Sequence, residues 1–246
     1  MNRIKDYDRL AFDIDRWLKD YYYMYAIKSF VVGVSGGIDS AVVSTLCAET
    51  GLQVYALGMP IHQDKEQESL SDAHLDWLDN KYENVNTIKI DLTNTFDTFK
   101  YDLERYATNK LALANTRARL RMVTLYQIAG QFGGIVAGTG NKVEDYGIGF
   151  FTKYGDGGVD IAPIADLYKS EVWELGEYLG VDQRICDAQP TDGLWDDGRK
   201  DEDQIGASYE DLEEAMENKT GIALNILEEY NKKNKHKMEP IPTFKL

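Results

Sequence analysis

The string Val31-Val32-Gly33-Val34-Ser35-Gly36-Gly37-Ile38-Asp39-Ser40-Ala41-Val42-Val43 carries a β-branched apolar segment through two glycines into a helical pattern, and no other stretch of the chain restricts its fold as much. Phe30 to Val34 reads as a buried strand and Ile38 to Ala48 as a helix, so the glycines sit where strand becomes helix. Such a junction presents free backbone N–H groups at the positive end of a helix dipole, a seat for an anion such as phosphate. It is not a Walker A loop, because Ile38-Asp39-Ser40 stands where that motif needs Gly-Lys-Ser/Thr. An aspartate there repels phosphate unless a divalent cation lies between, so Asp39 is read as a Mg²⁺ ligand, with Ser35 and Ser40 as hydroxyl donors. The plainer alternative is a tight strand-to-helix turn with an acid in the first helical turn.

The chain has 246 residues, 43% hydrophobic and 28% charged, enough for the core of one α/β domain. A net charge of −15 argues against nucleic-acid and anionic-membrane partners, which need a basic footprint. The N-terminal apolar residues are broken by charges at helical spacing, unlike a signal peptide, and no run reaches membrane-spanning length. Two cysteines without metal-type spacing, Cys47 and Cys186, fit a reducing cytoplasm.

Ile4, Tyr7, Leu10, Ile14, Trp17, Leu18 and Tyr21 recur at helical steps and predict an amphipathic helix ahead of the first strand. Further strands are expected at Gln53 to Gly58, Thr87 to Asp91 and Gly134 to Gly138. Helices are expected at Glu66 to Leu78, within Thr108 to Gln131, and near Tyr168 to Leu179. This alternation predicts a doubly wound parallel sheet flanked by helices, with ligands beyond the carboxyl ends of the strands. Residues near Pro60 to Lys65 and Gly193 to Asp203 lack periodicity and read as loops, the second a solvated charge run or a lid.

From Arg105 to Lys142 the chain carries Arg105, Lys110, Arg117, Arg119, Arg121 and Lys142 and no acidic residue, an inversion of its overall charge. An anionic ligand accounts for such a cluster, as do ion pairs with acids elsewhere. Helical spacing puts Arg119 and Asn115 on one side and Arg117 and Arg121 on the other, so they are not expected to serve one pocket. Farther on, Lys153, Asp156, Asp160 and Lys169 surround a glycine-rich segment containing Gly157-Gly158, a sign of a tight turn or close backbone approach to a ligand.

These residues together resemble the ammonia-dependent NAD⁺ synthetases, members of the ATP pyrophosphatases with a Ser-Gly-Gly-x-Asp-Ser loop. The resemblance rests on Gly33 to Ser40, Asn115 to Met122, Gly138-Thr139 with Asn141-Lys142 and Glu144, Phe151 to Gly158, Pro163 to Lys169, Pro190-Thr191 and His236-Lys237. It implies one synthetase domain over residues 1–246, with an adenine-nucleotide α-hydrolase-like fold. It also implies a two-step reaction in which deamido-NAD⁺ is adenylated by ATP and ammonia then displaces AMP. By similarity, Gly33, Val34, Ser35, Gly36, Gly37, Ile38, Asp39, Ser40, Thr139, Lys169 and Thr191 contact ATP. Asp39 and Glu144 hold Mg²⁺, and Arg119, Lys153, Asp160, His236 and Lys237 contact deamido-NAD⁺. Asp39, Asp160 and Lys169 carry the chemistry, with Asp160 also a candidate to deprotonate ammonium. In the family the pair matching His236-Lys237 closes the dinucleotide site across a two-fold homodimer.

The sequence departs from the family pattern in three respects. One extra residue between Glu144 and Phe151 leaves the metal ligand open between Glu144 and Asp145. Counting from the strand favours Glu144, with Asp145 expected to point away. Asp192 replaces a small residue after Thr191. No glutamine-hydrolysing domain is recognised, so ammonia is the expected nitrogen source.

Overall fold

The computed structural model describes residues 3–106, 109–190 and 201–245. Four parallel strands, β1 (Phe30–Gly33), β2 (Val54–Gly58), β3 (Val85–Lys89) and β4 (Ile135–Val136), form a sheet in the order β3-β2-β1-β4. Phe30 lies opposite both Val54 and Ile135, and a single parallel bridge from Ala137 to Ile161 extends the far edge. The apolar run of β1 follows from burial on both faces. Strand alternation sends Phe30 and Val32 into one hydrophobic cluster and Val31 into the other.

The first cluster is covered by α1 (Tyr7–Met24), α2 (Ile38–Glu49), α3 (Lys65–Lys81) and, later in the chain, a helix over Lys169–Leu179. The second lies beneath α4 (Thr93–Asp102) and α5 (Lys110–Phe132). Aspartate or asparagine begins three of these helices: Asp6 accepts from Arg9 N–H, Asp64 from Glu66 N–H, and Asn109 from Ala112 N–H. Gly133, at φ 65°, ends α5 in the left-handed conformation.

The chain leaves β1 for β2 and β3 on one side, then returns through α5 to β4 on the other. The crevice beyond the carboxyl ends of β1 and β4 is therefore the switch point where such sheets bind ligands. A π-helical turn at Lys142–Ile148 follows β4, and α6 (Lys169–Leu179) and α7 (Gln183–Cys186) come next. Last come α8 (Asp201–Ile205), α9 (Tyr209–Asn218) and α10 (Leu224–Met238). The three C-terminal helices close a third cluster around Val143, Ile148, Tyr209, Leu212 and Leu227.

Three differences from the sequence reading have local causes. β3 ends at Lys89, not Asp91, because the Asp91 carboxylate accepts from Thr93 N–H at 2.8 Å and turns the chain into α4, a helix the periodicity did not reveal. The basic stretch containing His236 and Lys237, given no element above, is the last turn of α10. Asp201 to Asp203, assigned above to a loop, open the helix Asp201–Ile205, while Gly193 to Lys200 fall outside the described residues. No helix among the described residues is long and apolar enough to cross a membrane.

Between α2 and α3, the Ser44 hydroxyl lies 2.9 Å from His74 Nε2, with both side chains buried and His74 stacked on Trp77. Burial pushes the His74 imidazole down to about 4. The unfolded chain accepts this proton near pH 6.5, the folded chain only near 4, so stability drops as pH falls through that window, by about 3 kcal/mol in full. Urea unfolding at pH 7.5 and 4.5 checks this: the stability lost on acidification should be about 2 kcal/mol or more greater for the wild type than for His74→Gln.

Candidate functional site

The turn after β1 is drawn tight by its own hydroxyls. Ser40 Oγ donates to the Gly37 carbonyl at 2.9 Å and accepts from Ser35 N–H at 3.1 Å, and Gly37 N–H donates to Ser35 Oγ. Gly36 has φ 89°, and a Cβ there would meet the Gln67 carbonyl oxygen at 2.5 Å, so both conformation and space require glycine. Gly37 is the N-cap of α2 and supplies no capping side chain, which leaves the amides of the first helical turn bordering the cleft.

Asp39, on that first turn, is joined to two distant segments. Its Oδ2 meets Lys169 Nζ at 2.5 Å and its Oδ1 accepts from Asn141 Nδ2 at 3.0 Å. Lys169, the first residue of α6, also reaches Glu144 Oε1 at 2.9 Å, and the same Glu144 oxygen accepts from the Tyr209 hydroxyl at 2.6 Å. The Lys169 side chain is 3% exposed, against 17% for Asp39 and 16% for Glu144. Burial drives the Asp39 carboxyl up, and Lys169 only partly offsets it. For Glu144, burial pushes the same way, but Lys169 and the hydrogen bond from Tyr209 outweigh it and hold the carboxyl below its ordinary range. Burial opposes the charge on Lys169, yet the two carboxylates keep it protonated well above the ordinary lysine range.

The segment after β4 that carries Glu144 and Asp145 is a π-helical turn. Asn141 Oδ1 caps it by accepting from Val143 and Glu144 N–H, and its wide loop closes where Gly149 N–H reaches the Glu144 carbonyl, five residues back. Gly149 takes φ 64°. From this turn Glu144 meets Lys169 beside Asp39. Asp145 does not point away as expected: it lines the cleft, where burial and the nearby Asp156, Glu144 and Asp39 carboxylates raise it well above its usual range.

The cleft, of about 1580 Å³, extends from the glycine turn to a cationic wall. Arg119 Nε donates to the Lys153 carbonyl, Lys153 Nζ to the His236 carbonyl, and Lys237 Nζ to the Phe151 carbonyl at 2.6 Å. His236 and Lys237 thus stand in the cleft of their own chain. Arg119 and Arg121 both border it, contrary to the helical-wheel expectation, because the long Arg121 side chain reaches back to the Met59 carbonyl and Gln63. Arg117 lies buried with its guanidinium over the Phe96 ring.

Gly33, Val34, Ile38, Ser40 and Thr139 also line the cleft, while Thr191 lies outside the described residues. Asp160 is not among the lining residues: its carboxylate accepts from Val136 N–H at 2.8 Å and from the Tyr126 hydroxyl at 3.0 Å. Asp156 opens into the cleft instead, its side chain exposed there, and partial desolvation by the surrounding protein pushes its carboxyl up to about 6. Asn141 and Tyr209 received no role from the sequence reading. Asn141 sits in a string already recognised, but nothing in the local pattern marks Tyr209, whose place is set by the packing of α9.

Asp39 and Glu144 offer hard oxygen donors that converge on one cation, which fits Mg²⁺, an ion that takes one or two carboxylates and completes its shell with water and substrate phosphates. Among the described residues no group of three or more His, Cys, Asp or Glu is placed to enclose a metal by itself.

The profile of the NAD synthase family matches residues 10–241. An NH₃-dependent NAD⁺ synthetase of Alkaliphilus metalliredigens is 42% identical over 225 residues, covering 85% of this chain and 87% of that protein. Among solved structures, an NMN synthetase from Francisella tularensis superposes with a TM-score of 0.91 at 33% identity, covering 99% of this chain and 100% of that one. An NH₃-dependent NAD synthetase from Campylobacter jejuni gives 0.78 at 26% identity, covering 98% and 100%. With this likeness across nearly its whole length and a glycine turn, acidic pair and lysine gathered at the switch point, the chain belongs to the NAD synthase family of ATP-dependent carbon–nitrogen ligases.

Proposed function

We propose that the chain amidates the nicotinate carboxylate of deamido-NAD⁺ with ammonia, forming NAD⁺, AMP and pyrophosphate through an adenylated intermediate. The observation that carries this reading is the meeting of Asp39, Glu144 and Lys169 beside the Gly36-Gly37 turn, at one end of a cleft whose other wall is cationic.

In the first step a carboxylate oxygen of the substrate attacks the α-phosphorus of ATP and the bond to pyrophosphate breaks. The amides of the glycine turn, the Ser35 and Ser40 hydroxyls and the Lys169 ammonium are placed to receive the negative charge on the leaving group. Mg²⁺, held by Asp39 and Glu144, supplies Lewis-acid stabilisation of the same phosphates when bound. Arg119, Lys153, His236 and Lys237 orient the anionic pyridine nucleotide. In the second step the ammonia nitrogen attacks the acyl carbon and AMP leaves. Ammonium must first lose a proton, and Asp156, held up to about 6 inside the cleft, is better placed to take it than Asp160, which serves to orient Tyr126. Two free thiols agree with a cytoplasmic setting.

A homodimer fits the apolar residues left on α4 and α5. Val123 and Tyr126, 67% and 41% exposed, line a second cavity of about 850 Å³ that shares Gly140, Asp145, Phe151, Lys153 and Lys237 with the main cleft, so a partner laid on α5 would roof the site. A second reading of the substrate is favoured by the likeness to the NMN synthetase of Francisella tularensis: the same amidation applied to nicotinate mononucleotide.

Incubation with ATP, Mg²⁺, ammonium and either deamido-NAD⁺ or nicotinate mononucleotide tests both readings. Deamido-NAD⁺ should be amidated with AMP and pyrophosphate as co-products. ADP and orthophosphate would refute the chemistry, and a large preference in kcat/KM for the mononucleotide would establish the second reading. Purified chain given ammonia-free glutamine should form no amide. Asp39→Asn should slow adenylation by about a hundredfold or more. Glu144→Gln should both slow turnover and raise the Mg²⁺ requirement, whereas Asp145→Asn should leave that requirement near wild type; the reverse pattern would transfer the metal to Asp145. Sedimentation equilibrium should give a mass of about twice 27.9 kDa, and a monomer at catalytic concentrations would remove the dimer from the scheme.

A further inference from the structure

We propose that the Lys169 ammonium holds the cation seat between Asp39 and Glu144 and yields it to a divalent metal only when a triphosphate in the adjoining glycine turn draws the ammonium away. This rests on the ATP and Mg²⁺ reading above and adds an order of events to it. Lys169 Nζ lies 2.5 Å from Asp39 and 2.9 Å from Glu144, bridging the carboxylates that are candidates for the metal. A buried ammonium and a divalent ion cannot share that position, since like charges a few ångströms apart in a poorly hydrated site repel strongly.

Each carboxylate also has a holder besides Lys169. Asn141 Nδ2 holds Asp39, and the Tyr209 hydroxyl holds Glu144. Both holders are neutral donors, so they steady the acids without competing for a cation. Lys169 opens α6 and borders the same cleft as Ser35 to Ser40, so it lies beside the turn that would hold phosphate. Free metal therefore meets a seat already filled by an internal cation. Metal brought with ATP finds the seat released, because the phosphates offer the ammonium another set of anionic oxygens. The device ties metal entry to nucleotide entry and makes Lys169 and the metal alternate occupants of one acidic pair.

The experiment titrates Mn²⁺ against wild type, Lys169→Met and Lys169→Arg without nucleotide, reading free Mn²⁺ by electron paramagnetic resonance. Lys169→Met should bind Mn²⁺ at least tenfold more tightly than wild type, and Lys169→Arg, which keeps the charge, should stay as weak as wild type. Equal affinity of wild type and Lys169→Met would overturn the proposal. If the methionine variant does not fold, the wild type decides by ¹H–¹⁵N spectra of lysine ammonium groups, with the Lys169 resonance assigned by its loss in Lys169→Arg. That resonance should be unmoved by millimolar Mg²⁺ alone and shift when Mg²⁺ is added with α,β-methylene ATP. A shift of the same size with Mg²⁺ alone would overturn the exchange while leaving the functional reading intact. Failure of the wild type to bind the Mg²⁺ nucleotide at all would overturn both.

Discussion

The bridge from Lys169 to Asp39 and Glu144 ties together three parts of the chain: the turn after β1, the π-helical turn after β4, and the start of α6. Removing these charges from water is costly, and the bridge holds only because the remaining oxygen valences are met by Asn141 and Tyr209. A buried ion pair of this kind is weak evidence for stability. Its value lies in geometry, since it gathers two acids and one base at the switch point of the sheet, where a polyphosphate can be met by backbone amides.

Geometry of this kind explains the irregular backbone nearby. The π-helical turn widens the helix locally, and Gly149 ends it where a Cβ would meet Asn234. Asn141 serves both sides of the junction, capping the turn with its oxygen and holding Asp39 with its nitrogen.

The C-terminal helices finish the site by packing. The third hydrophobic cluster fixes α9 so that Tyr209 reaches Glu144, with its ring edge-on to Trp173, and sets the last turn of α10 so that Lys237 reaches Phe151. Damage to that cluster would therefore draw Tyr209 away from Glu144 and Lys237 away from Phe151.

Local chemistry was enough to make the strand–glycine–helix junction, the alternation of strands and helices, and the placement of the binding crevice legible in the sequence. β-branched runs, helical spacing and glycines each act within a few residues. Glu144 could be named from the string around it, and it is the residue that meets Lys169. Other features depended on segments far apart in the chain. Tyr209 lies 65 residues from the carboxylate it holds, and no local pattern marks it. Asp156 rather than Asp160 faces the cleft because the Val136 amide and the Tyr126 hydroxyl take up the Asp160 oxygens. Arg121 reaches the cleft that a helical wheel denied it because the loop after β2 folds back to meet it. Sequence alone determined which groups were available; tertiary packing decided which of them came together, because burial and the pairing of distant polar atoms set where each charge could reside.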